Sequence, residues 1–230
     1  MLKDITKQPI YEVEKYKVVN MIQEKRIEFF KGLLQTDNSD EWASEIGAND
    51  KNIRWNTCMV SSFAMFLLSE IKISKLDKLS ILDESNIEKV YYQGLMTYLN
   101  QTPEPDHRWQ ASAHVRYLNQ MMELNGYKLR WKTEQSSIES IKRSIDNGHG
   151  YVFGTWATNA GHIMYAVGYN DFGVLVCDPY GDWRTGYTVQ KTAGEFLYDW
   201  SGIKYLLGID AQKHKTPAGY GRTWGSSIVF

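Results

Sequence analysis

Cysteine is scarce in this chain: its 230 residues include two, Cys58 and Cys177. Two thiols cannot build a disulfide framework or a cysteine-rich metal cluster, which leaves a single bridge or a thiol with chemistry of its own. Proline is scarce as well, with 5 residues, and no internal repeat, low-complexity tract or Gly/Pro/Ser linker divides the chain. Charge of one sign is not in excess, since 26 Lys+Arg stand against 27 Asp+Glu for a net charge of -1. A dedicated nucleic-acid binder needs a basic stripe and an anionic surface calls for a polybasic handle, so neither partner is expected. No run approaches the roughly 20 apolar residues of a membrane-spanning helix, and no membrane insertion is expected. The segment Met1-Leu2-Lys3-Asp4-Ile5 is charged and lacks the apolar stretch of a signal peptide. Synthesis in the cytosol is therefore expected, with any release or delivery to a bacterial cell wall by another route.

What is present is core-forming material, with 43% hydrophobic and 13% aromatic residues. The division expected is an N-terminal helical extension over 1–46, one domain over 47–210 and a C-terminal tail over 211–230 packing on it. Val18, Ile22, Phe29, Phe30 and Leu33 recur among charges over 11–34 as on an amphipathic helix. A short helix is expected around Glu41–Ile46. From Thr57 to Leu68 the residues are apolar on nearly all faces, as in a buried helix. Ala111 to Leu124 reads as a helix stopped by Asn125-Gly126. Ser136 with Glu139 forms a capping-box pattern that opens a helix through Ile145. Strands are expected at Tyr127–Trp131, Tyr151–Trp156, Ile163–Tyr169 and Val174–Cys177, the last two joined by the hairpin signal Asn170-Asp171-Phe172-Gly173. Further strands are expected near Tyr187–Val189 and Lys204–Ile209, and a final edge strand within Gly219–Phe230. Helices followed by an antiparallel sheet make an α+β fold.

Cys58 begins the buried helix after Asn56-Thr57. A helix N-terminus and a neighbouring imidazolium both favour thiolate, lowering a thiol pKa from about 8.5 to roughly 3.5–7.5. A cysteine on an apolar helix is, by itself, ordinary core packing. His162, after Gly161 at the start of a strand, supplies the base such a thiol needs. Asp178 ends the next strand of the same hairpin, and a turn centred near Asn170 sets the two roughly side by side, where the acid can fix the imidazole tautomer. Cys177, one residue from Asp178, faces the other side as a buried core thiol.

These residues resemble a family. Gly161-His162-Ile163-Met164-Tyr165-Ala166-Val167-Gly168-Tyr169, then Asp178-Pro179-Tyr180-Gly181, is similar to the His and Asp motifs of papain-like cysteine peptidases. The likeness is greatest to the bacteriocin-processing (double-glycine leader) peptidases and their peptidase-like relatives. Cys58-Met59-Val60-Ser61-Ser62-Phe63-Ala64-Met65 resembles that family's nucleophile helix, and the similarity spans about residues 50–182. The resemblance implies a papain-like fold, with the catalytic helix packed on an antiparallel sheet. It implies a Cys58–His162–Asp178 triad that hydrolyses amide bonds without metal or organic cofactor. Two departures stand out. Met59 follows the cysteine where the family has Gly. Asn52 takes the place of the glutamine whose amide donates into the oxyanion hole, with Asn56 as the alternative.

Trp183, Trp109 and Trp156 are candidates for lining a substrate groove or shielding the His–Asp contact; Trp183 and Trp109 serve equally as core or anchoring residues. His149 in its turn and His114 within a helix are ordinary by default. The substrate implied is peptide, with the cross-linked peptides of bacterial peptidoglycan, cut by a phage-type lysin or delivered wall-degrading enzyme, preferred. The alternatives are leader or protein processing, an intracellular amidase or transferase, and an inactive papain-like binding module.

Overall fold

The computed structural model describes residues 24–28, 30–38, 57–101, 108–158, 161–187, 195–209 and 224–229. Among them are five α-helices: α1 (Cys58–Ile73), α2 (Ile87–Gln101), α3 (Ala111–Leu124), α4 (Ile138–Asp146) and α5 (Trp200–Leu206). Seven strands accompany them: β1 (Lys25–Arg26), β2 (Arg130–Gln135), β3 (Tyr151–Thr155), β4 (His162–Tyr169), β5 (Gly173–Cys177), β6 (Glu195–Asp199) and β7 (Trp224–Val229). The strands form one antiparallel sheet in the order β2-β7-β3-β4-β5-β6, with β1 added to β4 beyond the end of β3. This is the α+β, papain-like architecture, a buried helix on an antiparallel sheet.

The central strands β3, β4 and β5 are buried on both faces. Alternation sends Ile163, Tyr165 and Val167 to one side, where α1, α2 and α3 pack, and Met164 and Ala166 to the other, where α4 and α5 contribute Ile141, Ile203 and Leu206. Helix α1 is buried on nearly every face because Met59, Val60, Phe63, Ala64, Met65, Phe66 and Leu67 all meet core. It runs to Ile73, past the apolar run that marks it in the sequence, because its polar continuation is satisfied internally. Ser69 Oγ donates back to the Met65 carbonyl at 3.0 Å, and buried Glu70 meets His149 Nδ1 at 3.0 Å. Among the described residues no helix is long and apolar enough to cross a membrane.

Several sequence expectations are corrected. Residues 24–28 and 30–34 are not helical: Lys25 and Arg26 pair with Tyr169 and Gly168, and the Ile27 N–H donates to the Val167 carbonyl at 2.9 Å. The free edge of β4 beyond β3 offers backbone partners there, and Gly168 admits the approach, since a Cβ on it would lie 2.7 Å from the Lys25 carbonyl oxygen. The rest of the expected helix, 11–23, lies outside the described residues, as do Glu41–Ile46 and 188–189 of the Tyr187 strand. Lys204–Ile209 is not a strand but the end of α5 and the turn after it, because Asp199 caps that helix by accepting from the Gly202 N–H at 2.7 Å. Ser137, not Ser136, caps α4, accepting from Ser140 N–H at 3.0 Å. The strand expected at Tyr127 begins at Arg130. Finally, β7 is no edge strand: it lies between β2 and β3, with Gly225 and Ser226 buried.

Candidate active site

Cys58 is the first residue of α1, and its thiol is half-buried. Burial alone would push the thiol pKa up. The hydrogen bond to His162 and the charge of that imidazole oppose it, together with backbone bonds at Ile163 and Met59, and the net result lies below the ordinary 9.0. The helix is fixed against β4 by Ser62, one turn after Cys58, whose Oγ donates to the Ile163 carbonyl at 3.1 Å. Sulfur and imidazole are thus registered by a bond between a residue one helical turn from Cys58 and the residue next to His162.

His162 opens β4 and is buried. Gly161 before it takes φ +81°, the left-handed conformation that favours glycine and turns the chain into the strand. His162 Nε2 lies 2.7 Å from Asp178 Oδ1, which leaves Nδ1 for the thiol. The pairing Tyr165–Cys177, counted on by one residue, sets Asp178 level with Met164, so acid and imidazole are diagonal neighbours on one face rather than directly opposite. Burial lowers the affinity of His162 for its proton, but the Asp178 charge and hydrogen bond, with Cys58 adding to them, outweigh it and raise the pKa above 6.5. By alternation His162 belongs to the face opposite α1. Its position at the first residue of β4, at the end of the sheet, is what lets it meet Cys58.

Asp178 is buried and collects three donors besides the imidazole: Tyr180 N–H at 3.0 Å on Oδ1, and the phenols of Tyr198 at 3.0 Å and Tyr187 at 3.2 Å on Oδ2. Tyr187 holds φ +59° although it is not glycine. Such a conformation costs of order 1–3 kcal/mol, comparable to the roughly 1.5–3 kcal/mol of a hydrogen bond to a charged group. The bond to Asp178 therefore offsets the strain. The rings against the imidazole are Tyr187 and Tyr180, at centroid distances of 5.8 and 6.2 Å.

Trp183 does not take that shielding place; it packs on Tyr198 and Tyr205 at 5.9 and 5.4 Å. Trp109 is exposed, with the Arg108 guanidinium 3.4 Å from its ring centroid. Trp156 follows Thr155, the strand partner of His162, and so stands at the same end of the sheet, its N–H donating to the Leu206 carbonyl at 2.9 Å. Cys177 is a buried core thiol, its pKa raised by burial. His114 is buried between Tyr91 Oη at 2.9 Å and the Arg108 carbonyl at 2.8 Å, and burial lowers its pKa to about 4.

Asn52 and Asn56 lie outside the described residues. The sequence reading missed another buried amide, Gln35, on the 3-10 turn Gln35–Asp37. Its backbone N–H donates to the Pro179 carbonyl at 2.9 Å, and Asn38 Nδ2 donates to Thr57 Oγ1 at 3.0 Å. The turn is thereby tied to the residue after Asp178 on one side and the residue before Cys58 on the other. Its signal in the sequence is slight, a Gln and an Asn three apart, twenty or more positions before the cysteine. Among the described residues no group of three or more His, Cys, Asp or Glu side chains could hold a metal ion.

Over residues 30–207 the chain matches the family described as Peptidase_C39 like family. No curated protein and no solved structure matches it.

Proposed function

The chain belongs to the Peptidase_C39 like family, and on that premise we propose that it is a cysteine peptidase whose triad is Cys58, His162 and Asp178. The observation that carries this reading is the His162–Asp178 hydrogen bond at 2.7 Å with the Cys58 thiol acting on the same imidazole, the thiol pKa lowered by it and the imidazole pKa raised. Opposite shifts in two touching groups describe a thiolate–imidazolium pair, which is the resting state a thiol nucleophile needs.

The Cys58 thiolate attacks the carbonyl carbon of an amide, and the carbonyl oxygen takes the negative charge. His162 gives its Nδ1 proton to the leaving amine as the C–N bond breaks, leaving an acyl-enzyme on sulfur. Neutral His162 then takes a proton from water, whose oxygen attacks the thioester and frees acid and thiolate. Asp178 orients the imidazole throughout, and the Tyr187 and Tyr198 phenols hold the acid. For the oxyanion we assign the Gln35 side-chain amide and the Cys58 backbone N–H, because the Gln35 turn is tied to the neighbours of both Asp178 and Cys58. Loss of one such donor costs about 10²–10³ in rate.

The substrate proposed is the peptide portion of bacterial peptidoglycan. Wild type and Cys58→Ala are compared on purified peptidoglycan, with released amines and reducing ends followed separately. New amines from the wild type alone are the expected result. Reducing ends in place of amines would overturn the mechanism, since this site offers no chemistry for a glycosidic bond. Release of neither would move the substrate to other peptides or proteins.

A further inference from the structure

We propose that Glu88 is a positioning residue that locks the oxyanion-donor turn to the nucleophile helix, and that it acts on acylation rather than on formation of the thiolate. The inference rests on the function proposed above. Glu88 lies in the first turn of α2 and is buried. Its Oε1 accepts from two elements at once: from Ser61 Oγ on α1, one turn after Cys58, and from Asn38 Nδ2 at 3.1 Å, directly after the Gln35–Asp37 turn. Asn38 uses the same amide to reach Thr57 Oγ1, and Asn38, Thr57 and Ser61 are all buried. One carboxylate oxygen thus joins α2, α1 and the turn that carries Gln35, on a side of α1 that the His162–Asp178 pair does not use.

A buried carboxylate is costly to keep charged, and an apolar residue would fill the same place without that penalty. What an apolar residue could not do is accept from two donors on separate elements. Facing Glu88 are the Ser61 hydroxyl from α1, the Asn38 amide, and the charge of Asp37 from the turn. Burial, with Asp37 adding to it, pushes Glu88 up to about 7 against the pull of Ser61 and Asn38. Protonation on the other oxygen leaves Oε1 an acceptor, so the junction persists in both states.

Two reactions of Cys58 separate positioning from activation. Iodoacetamide alkylates the thiolate by displacement at carbon and needs no oxyanion hole. p-Nitrophenyl acetate acylates it through an oxyanion, with p-nitrophenolate leaving. The expected result for Glu88→Ala is acylation slowed about 10- to 100-fold with alkylation changed less than about threefold, consistent with partial loss of one oxyanion donor. Glu88→Gln, whose amide oxygen can accept both bonds, should lose less than about tenfold. Asn38→Ala cuts the tie to the turn directly and should reproduce the Glu88→Ala pattern; it also serves if Glu88→Ala does not fold, which thermal melting reports. Unchanged acylation in the alanine variants, or acylation and alkylation falling together, would overturn the inference while leaving the peptidase reading standing. A wild-type Cys58 alkylated no faster than Cys177 would instead sink the thiolate, and with it both proposals.

Discussion

The two cysteines differ in one respect that decides everything else: what meets the sulfur once water is removed. Cys177 ends β5 in the apolar core, and burial, with the charge of Glu195 adding to it, drives its pKa up. Cys58 bears a burial penalty too, but the His162 imidazole and the backbone groups of Ile163 and Met59 reverse its direction. The histidines repeat the lesson. His114 and His162 are both buried, yet His114 faces a phenol and a carbonyl and is held neutral, while His162 faces a carboxylate and a thiol and is held charged. Burial amplifies whichever partner is present; it does not choose the outcome.

The sharpest way to break the comparison is to make Cys58 resemble Cys177. His162→Ala leaves the burial and removes the opposing partner, so peptide hydrolysis should fall by about 10⁴. Alkylation of Cys58 by iodoacetamide at pH 7 should fall at least about 30-fold, toward the rate of Cys177. Equal alkylation in wild type and variant would show that the helix N-terminus alone makes the thiolate.

A smaller effect sharpens the same contrast along the pH axis. The active form has Cys58 deprotonated and His162 protonated. It is lost on the acid side as pH falls through the Cys58 pKa, which lies below 9.0, and on the alkaline side as pH rises through the His162 pKa, which lies above 6.5. The profile of kcat/KM should therefore be bell-shaped, its acid limb set by Cys58 below pH 9.0 and its alkaline limb by His162 at about 10, with rates falling roughly tenfold per pH unit beyond each edge. A single rise with a midpoint near 9 would mean an unpaired thiol.

The smallest effect concerns the clamp on Asp178. Tyr187→Phe keeps the ring against His162 but removes one donor from the carboxylate, leaving more of its charge to hold the imidazolium. The alkaline limb should move upward by a fraction of a pH unit, and turnover should change only a few-fold. A limb that stays in place would assign Tyr187 to packing alone.

How much of this was legible in the sequence depends on distance along the chain. Cys58, His162 and Asp178 stood out because each lies at the end of an element with a strong local pattern: the all-apolar run of α1 and the hairpin around Asn170-Gly173. Gln35, Asn38 and Glu88 did not, because only tertiary packing brings Glu88 to the turn that Gln35 and Asn38 share, 50 residues from Asn38 in sequence. Tyr187 and Tyr198 were silent for the same reason, as their phenols converge on Asp178 from a turn and a neighbouring strand. The α5 segment read as strand because Lys204–Ile209 was taken without Asp199, the cap that starts the helix five residues earlier. β1 misled in the opposite sense: its charges and apolar residues suit a helix, but the unpaired length of β4 captured its backbone.

The placement of β7 has a consequence for how the molecule is assembled. Its partners β2 and β3 are far earlier in the chain, so this end of the sheet is completed by pairings as distant in sequence as Arg130 with Val229. Closing so long a loop before any contact rewards it slows the search for the native arrangement. Until β7 arrives, β2 and the neighbouring edge of β3 face each other across a gap with unsatisfied backbone groups. Such open edges invite strand pairing with other chains, so this protein is most prone to aggregate before β7 has paired.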